Sequence, residues 1–211
     1  MAKIALFGAT GTIGSQILNE ALGRGHQVTA IVRDAQRTLP PRNGLECRPG
    51  DILKPESVAL SVTGNDVVVS AYGPGAGSAD QIVTAAEALV EGVAAEQPMR
   101  LIAVNGAGSL EVSPGVQLMD TPDFPHKWKL VAEAHREALA VFRTAKFDWV
   151  CVSPPAEIRA GSRTGKYRTA NDQLIVDGNS KSWMSVEDFA VAVIDEIEKP
   201  QFHRQRFTVG Y

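Results

Sequence analysis

Ile4-Ala5-Leu6-Phe7-Gly8-Ala9-Thr10-Gly11-Thr12-Ile13-Gly14 is the stretch whose reading decides the fold. Residues 4–7 form an unbroken apolar run, as expected of a strand covered on both faces, and Gly8 ends it. From Thr12 onward, Ile13, Ile17, Leu18, Ala21 and Leu22 recur three or four apart, while Ser15, Gln16, Asn19 and Arg24 lie off that face; Gly25 stops the helix. Gly8 permits a tight turn, Gly11 lets backbone approach an anion with no Cβ in the way, and Gly14 lets helix and strand pack closely. The helix N-terminus adds free N–H groups and positive potential. Gly8, Thr10, Gly11, Thr12, Ile13 and Gly14 therefore read as a pyrophosphate cradle, the alternative being a glycine turn that binds nothing. No lysine follows these glycines, which excludes a phosphate loop ending in Gly-Lys-Ser/Thr.

Outward from this unit the alternation continues. Further strands are expected at 28–32, 45–48, 66–71, 101–104, 149–152 and 206–209. Helices are expected at 55–62, along the stripe Ile82, Ala86, Leu89, Val90 and Val93, and along Leu130, Ala134, Ala138, Val141 and Phe142. A capping box at Ser185-Val186-Glu187-Asp188 opens a last helix that runs to Lys199. Strand, helix, strand in this order, with right-handed crossovers, predicts an α/β fold with a doubly wound parallel sheet of the Rossmann kind. Turn formers are dense over 106–125, which predicts an excursion across the end of the sheet. Residues 156–184 carry Gly161, Gly165 and Gly178 and predict a small hairpin-bearing lobe over the site.

The chain has 211 residues, enough for one compact core without a disulfide or structural metal. Hydrophobic residues make up 44% and charged residues 21%, which excludes intrinsic disorder. The formal net charge of -3 gives no field for nucleic acid or an anionic bilayer. Cys47 and Cys151 sit apart in apolar stretches and read as buried reduced thiols, with no metal-binding spacing. No apolar run is long enough to span a membrane, and residues 4–7 are too short for a signal-peptide core, so a cytoplasmic protein is expected.

The glycine spacing Gly-x-x-Gly-x-x-Gly, with Ala-Thr between the first two, resembles the signature of extended and atypical short-chain dehydrogenase/reductases. Val32-Arg33-Asp34, Gly50-Asp51-Ile52, Tyr72-Gly73, Ser153-Pro154-Pro155 and Thr164-Gly165-Lys166-Tyr167 match, in order, a narrower group. That group is the NAD(P)H-dependent flavin reductase/biliverdin reductase B-like proteins, close to bacterial NADH-flavin reductases and related to NmrA-like proteins. The resemblance covers nearly the whole chain.

It implies an NAD(P)(H) cofactor, and the end of the second strand bears on which one, because the adenosine ribose lies there. Arg33, with Arg37 one helical turn on, matches a two-arginine clamp on a 2′-phosphate and favours NADP(H). Asp34 keeps NAD(H) open, and solvated loop cations are the alternative for both arginines. Asp51 and Ile52 resemble the pair that borders the adenine, though Asp51 also suits a plain turn. Ala71, Tyr72 and Gly73 end the fourth strand beside the cofactor path. Asn105 is placed to bond the nicotinamide ribose or to fix its loop. Ser153, Pro154 and Pro155 shape the nicotinamide pocket or merely end a strand.

Most short-chain dehydrogenases shuttle a proton through a Tyr-x-x-x-Lys pair. None exists here: Tyr72 is followed at that spacing by Ala76 and Tyr167 by Asn171, while Tyr211 ends the chain. Alcohol-ketone chemistry and sugar-nucleotide epimerisation lose their usual proton carrier. Reduction of a flavin (FMN or FAD) or a quinone asks less, since the protein need only hold nicotinamide and acceptor face to face. By this resemblance the active-site serine falls at Gly106 and the histidine at Ala156, so tetrapyrrole reduction is disfavoured and no catalytic residue is assigned. Tyr72, Tyr167, His126 and Trp128 are the candidates to face a planar acceptor. His26, His135 and His203 read as exposed. The expectation is an NADPH-preferring reductase, monomer or homodimer, with no metal. The alternatives are an NmrA-like sensor that binds NADP(H) without turnover and, third, an epimerase or dehydratase using a base such as His126.

Overall fold

The structure, a computed structural model, describes residues 1–34, 39–75, 77–96 and 98–211. In chain order the elements are β1 (Lys3–Phe7), α1 (Thr12–Gly23), β2 (Gln27–Val32), β3 (Leu45–Pro49), α2 (Pro55–Val62), β4 (Val67–Ser70), α3 (Gln81–Ala95) and β5 (Arg100–Val104). Then come β6 (Glu111–Ser113), β7 (Val116–Gln117), α4 (Lys129–Phe142), β8 (Trp149–Ser153), β9 (Glu157–Arg159), β10 (Arg168–Ala170), β11 (Trp183–Ser185), α5 (Val186–Glu198) and β12 (Gln205–Gly210). Among the described residues, eight strands form one sheet in the order β3-β2-β1-β4-β5-β8-β12-β10. All its neighbours are parallel except β10, which joins β12 antiparallel as an edge.

Alternating side chains explain why the central strands are apolar throughout. Ile4 and Leu6 point to the face covered by α1 and α5, where they meet Ile17, Leu18, Phe189 and Val193. Ala5 and Phe7 point to the face covered by α2, α3 and α4, with Val58, Leu89, Leu139 and Phe142. Each large apolar side chain fully enclosed in this way contributes roughly 1.5–3 kcal/mol. Arg24, held at 2.6 Å by Glu20 of α1, pins α1 to α5 through Asp195 at 2.6 Å and Glu198 at 2.8 Å.

Several expectations need correction. Residues 156–184 hold no hairpin: β9 pairs in parallel with β11, and β10 instead extends the main sheet. The hairpin in this part of the molecule is β6–β7, within the glycine-rich excursion. The α5 capping box is half formed. Ser185 Oγ accepts from the Asp188 N–H at 3.1 Å, but the Ser185 N–H donates to the Tyr211 hydroxyl. The Asp188 carboxylate is taken by the Thr164 and Gly165 N–H groups at 2.8 and 2.7 Å and by the Thr164 and Tyr211 hydroxyls. Burial alone would raise its pKa; these donors outweigh that and hold it below the ordinary value.

Leu130 is 71% exposed, because the buried face of α4 is set by Ala132, Ala134, Ala138, Leu139 and Phe142. Cys151 is buried, but Cys47 lies on a strand near the sheet edge and is only half-buried. His26 is buried rather than exposed. Its Nδ1 accepts from the Ala2 N–H at 3.1 Å and its Nε2 faces Glu198 at 3.0 Å. His203 is exposed, as expected, beside Asp148.

Candidate functional site: a dinucleotide crevice

The strand order reverses between β1 and β4, and in open α/β sheets ligands bind outside the carboxyl ends of the strands at that point. A cavity of about 570 Å³ lies there. Phe7, Gly8, Thr10 and Gly11 line it from the first turn, Arg33 and Asp34 from the end of β2, Gly50 and Ile52 from beyond β3, and Ala71, Tyr72 and Gly73 from the end of β4.

The three glycines of the turn answer to different demands. Gly8 has φ +79, and a Cβ there would lie 2.4 Å from the Ala71 carbonyl oxygen. A Cβ at Gly14 would lie 2.0 Å from the Gly8 oxygen. The fold itself requires both to be glycine. Gly11 is different: its backbone is extended at φ -79, and an added Cβ would meet only the Gly8 oxygen, at an ordinary 3.4 Å. The protein leaves room for a side chain at 11 and uses none. Gly11 is also the N-cap of α1, with no side-chain cap and no acidic residue in the first turn. The N–H groups of Thr12, Ile13 and Gly14 thus have no intrahelical acceptor. This is a cradle that a Cβ would fill, with donors aimed outward, and a pyrophosphate fits it.

At the adenosine end, Arg33 is exposed on the cavity rim, with Asp34 beside it. Arg37 lies outside the described residues. Ile52 is buried and lines the cavity, whereas Asp51 turns to its own loop: its carboxylate accepts from the Leu53 N–H at 3.1 Å and lies 3.7 Å from Lys54.

At the other end, Tyr72 donates to Gln81 Oε1 at 3.2 Å. Burial raises its hydroxyl pKa, Arg33 pulls it down and Asp51 pushes it up, so both charges are felt at this ring. Tyr72 also lines a narrow second cavity, about 20 Å³, shared with Ser70, Asn105 and His135 between α3 and α4. Asn105 is 3% exposed; its Oδ1 accepts from the Gly106 N–H at 2.9 Å and faces His135 Nδ1 at 2.9 Å, while its Nδ2 has no protein partner. Ser153, wholly buried at the end of β8, has an unpartnered Oγ as well. Pro154 is half-buried and Pro155 buried just beyond it. His135 contradicts its exposed reading: enclosure of the imidazole pushes its pKa down to about 4.

The acceptor-side candidates do not converge. Tyr167 donates to Asp195 Oδ2 at 2.6 Å and lines a separate cavity with Lys166 and Phe202, so it fastens its loop to α5. Burial and then Asp195 raise its hydroxyl pKa well above the ordinary range. His126 and Trp128 lie on a 3-10 turn before α4, both exposed, with Lys127 Nζ 5.3 Å from the Trp128 ring centroid. Trp128 is 53% exposed. Burial lifts the Cys151 thiol far above its ordinary pKa, so it is no nucleophile. Among the described residues no three His, Cys, Asp or Glu side chains are placed to hold a metal, and no helix is long and apolar enough to cross a membrane.

Fold and crevice together define a dinucleotide-binding α/β protein of the Rossmann class. The chain belongs to the NAD(P)H-binding family, which it matches over residues 8–197. It is 38% identical over 211 residues to the uncharacterized protein YwnB of Bacillus subtilis strain 168, covering 98% of this chain and 97% of that one. Among solved structures it is similar to a "putative exported protein" from Burkholderia pseudomallei, 47% identical with each chain fully covered and a TM-score of 0.92. It is likewise similar to SP1627, a "putative NADH-flavin reductase" from Streptococcus pneumoniae TIGR4, 31% identical over 100% of this chain and 99% of that one, with a TM-score of 0.87. The neighbours and the fold agree with the atypical short-chain dehydrogenase/reductase resemblance.

Proposed function

We propose that the protein is an NADPH-preferring reductase that passes hydride to a free flavin, a quinone or a similar planar acceptor. The observation that carries this reading is the Gly11 cradle, open to a ligand, with Arg33 on the rim of the same cavity. The N–H groups of Thr12, Ile13 and Gly14 would hold the pyrophosphate, and Arg33 would pair with a 2′-phosphate. Bound NAD(P)H supplies the hydride. The protein's own task is to orient: Asn105 Nδ2 and Ser153 Oγ offer two buried polar groups at the ends of adjacent strands, and Tyr72 lines the same narrow cavity as Asn105. One hydride from the cofactor and one solvent proton convert a quinone to a hydroquinone, so no dedicated acid is required. The resemblance to SP1627 by name supports this acceptor class. A cytoplasmic location and a monomer or homodimer accompany the proposal.

A second reading rests on one observation: Trp128 and Leu130, at the start of α4, are apolar side chains 53% and 71% exposed. A non-catalytic NADP(H) sensor would use such a surface to report occupancy. Mixing the protein with NADPH and FMN or a quinone, and following loss of reduced-nicotinamide absorbance, separates the two. Turnover is expected; saturable NADPH binding without turnover on any flavin or quinone would favour the sensor. In the same assays Arg33→Ala should weaken NADPH about tenfold, the loss of a charge-assisted pair, and leave NADH nearly unchanged. Equal loss for both would remove the phosphate role.

A further inference from the structure

We infer that His135 is a positioning residue for Asn105: its Nδ1–H locks the Asn105 amide in one orientation, so that Nδ2 is presented as a fixed donor to a ligand oxygen in the crevice. This deepens the reductase reading and rests on it.

The orientation follows from donor and acceptor accounting. The Gly106 N–H can only donate, and it meets the Asn105 side chain at 2.9 Å, so the atom there is Oδ1. The same oxygen lies 2.9 Å from His135 Nδ1. An oxygen cannot donate, so His135 must be the Nδ1–H tautomer, with Nε2 bare. Two donors converging on Oδ1 forbid an amide flip, because the flip would set NH₂ against both. Nδ2 is then left buried with no acceptor in the protein.

The imidazole is held in place by shape as well. A Cβ at Gly106 would come within 3.0 Å of its Cβ, Cγ and Cδ2, so the ring is seated directly on that backbone, and glycine at 106 is what gives it room. Being enclosed, the ring stays neutral at physiological pH, which the single Nδ1–H donor requires.

A ligand is the natural partner for Nδ2. Val104 and Val152 are in register, so Asn105 and Ser153 follow side by side at the carboxyl ends of β5 and β8, and the Ser153 hydroxyl is also buried without a partner. Two orphaned polar groups on adjacent strand ends, one of them sharing a narrow cavity with Tyr72, fit an oxygen acceptor. The nicotinamide nucleoside offers such an oxygen in its hydroxyls and carboxamide; a flavin or quinone offers it in a ring carbonyl.

The test uses the full-length protein with His135→Phe, His135→Asn, Asn105→Ala and the Asn105→Ala/His135→Phe double variant. NADPH affinity is measured by calorimetry, and KM and kcat are measured with a quinone. His135→Phe should weaken the affected step by about fivefold, in the range of one lost hydrogen bond. His135→Asn, which keeps an N–H donor, should restore most of it. The double variant should be no worse than Asn105→Ala alone, since His135 acts through Asn105. Loss in the NADPH dissociation constant identifies a nucleotide oxygen; loss confined to quinone KM and kcat identifies the acceptor carbonyl. A His135→Phe variant equal to wild type, or a loss that adds to that of Asn105→Ala, overturns the inference.

Nitrogen NMR of the wild-type imidazole at pH 7 needs no ligand and no variant. Protonated Nδ1 with bare Nε2 is expected, and the opposite tautomer overturns the inference even if every variant misfolds. If wild-type protein binds no dinucleotide, the reductase reading falls, and the tautomer then decides the lock on its own.

Discussion

At the cradle, the groups proposed to meet a ligand are backbone N–H donors of one contiguous turn, Gly8 to Gly14, whereas at the ends of β5 and β8 the proposed groups are the side chains of Asn105 and Ser153, set on adjacent strands by register, with His135 of α4 against Asn105. The first region is fixed by local geometry and cannot drift without breaking the strand-to-helix turn. The second is assembled from three elements distant in sequence, so single residues there can change while the fold persists. The contrast suggests a division of labour in which the glycine turn conserves cofactor binding and the strand-end side chains are free to adapt to an acceptor.

Gly14→Ala should show the largest effect and tests the rigidity of the first region. Its Cβ would sit 2.0 Å from a backbone oxygen, and overpacking of that severity costs about 3 kcal/mol or more. Thermal unfolding should record a large fall in Tm, and an unchanged Tm would show that the turn can yield. Next comes the pH response of the second region. His135 takes up a proton near pH 4 in the folded protein, against an ordinary value of 6.5 for the unfolded chain. Between those values the unfolded state binds more protons, so stability rises with pH. It is fully present above about pH 6.5, declines as pH falls toward 4 and then levels. The difference is on the order of 3 kcal/mol. Denaturant titrations of wild type and His135→Asn across this window should show a steeper slope in the former, above the part that lowered carboxylates such as Asp188 contribute to both. Smallest is Tyr167→Phe, which should cost about 1.5 kcal/mol of stability through loss of its bond to Asp195 and leave acceptor KM unchanged. A raised KM with unchanged stability would return Tyr167 to the acceptor site.

The same contrast explains how far the amino-acid sequence could be read. β1, the cradle and α1 are legible because apolar period and glycine spacing act within a dozen residues. The parallel sheet follows from repetition of that unit. His135 is misread as exposed when taken as an isolated histidine, yet its spacing to Ala132, Ala138 and Leu139 places it beside the buried face of α4, where it is half-buried, and that periodicity could have found it. Leu130 shows the reverse error, an apolar residue assigned to a stripe from which the helix turns it away. Tyr167 and Asp51 are taken by Asp195 and the Leu53 N–H, and such competing partners are invisible until the chain is folded. The missing hairpin has the same cause: β9 pairs with β11 across the intervening lobe, a choice made by tertiary packing rather than by local turn signals.

The most direct test of the account is calorimetric titration of NADPH into wild-type protein and Gly11→Ala, with thermal unfolding of both. Because a Cβ at 11 has room in the protein and Gly11 lines the cavity, Gly11→Ala should fold with Tm within a few degrees of wild type, a lost N-cap glycine costing about 1 kcal/mol or less. Its NADPH affinity should fall at least tenfold. Equal affinity in the two proteins, or no heat of binding in either, would contradict a pyrophosphate held at this turn.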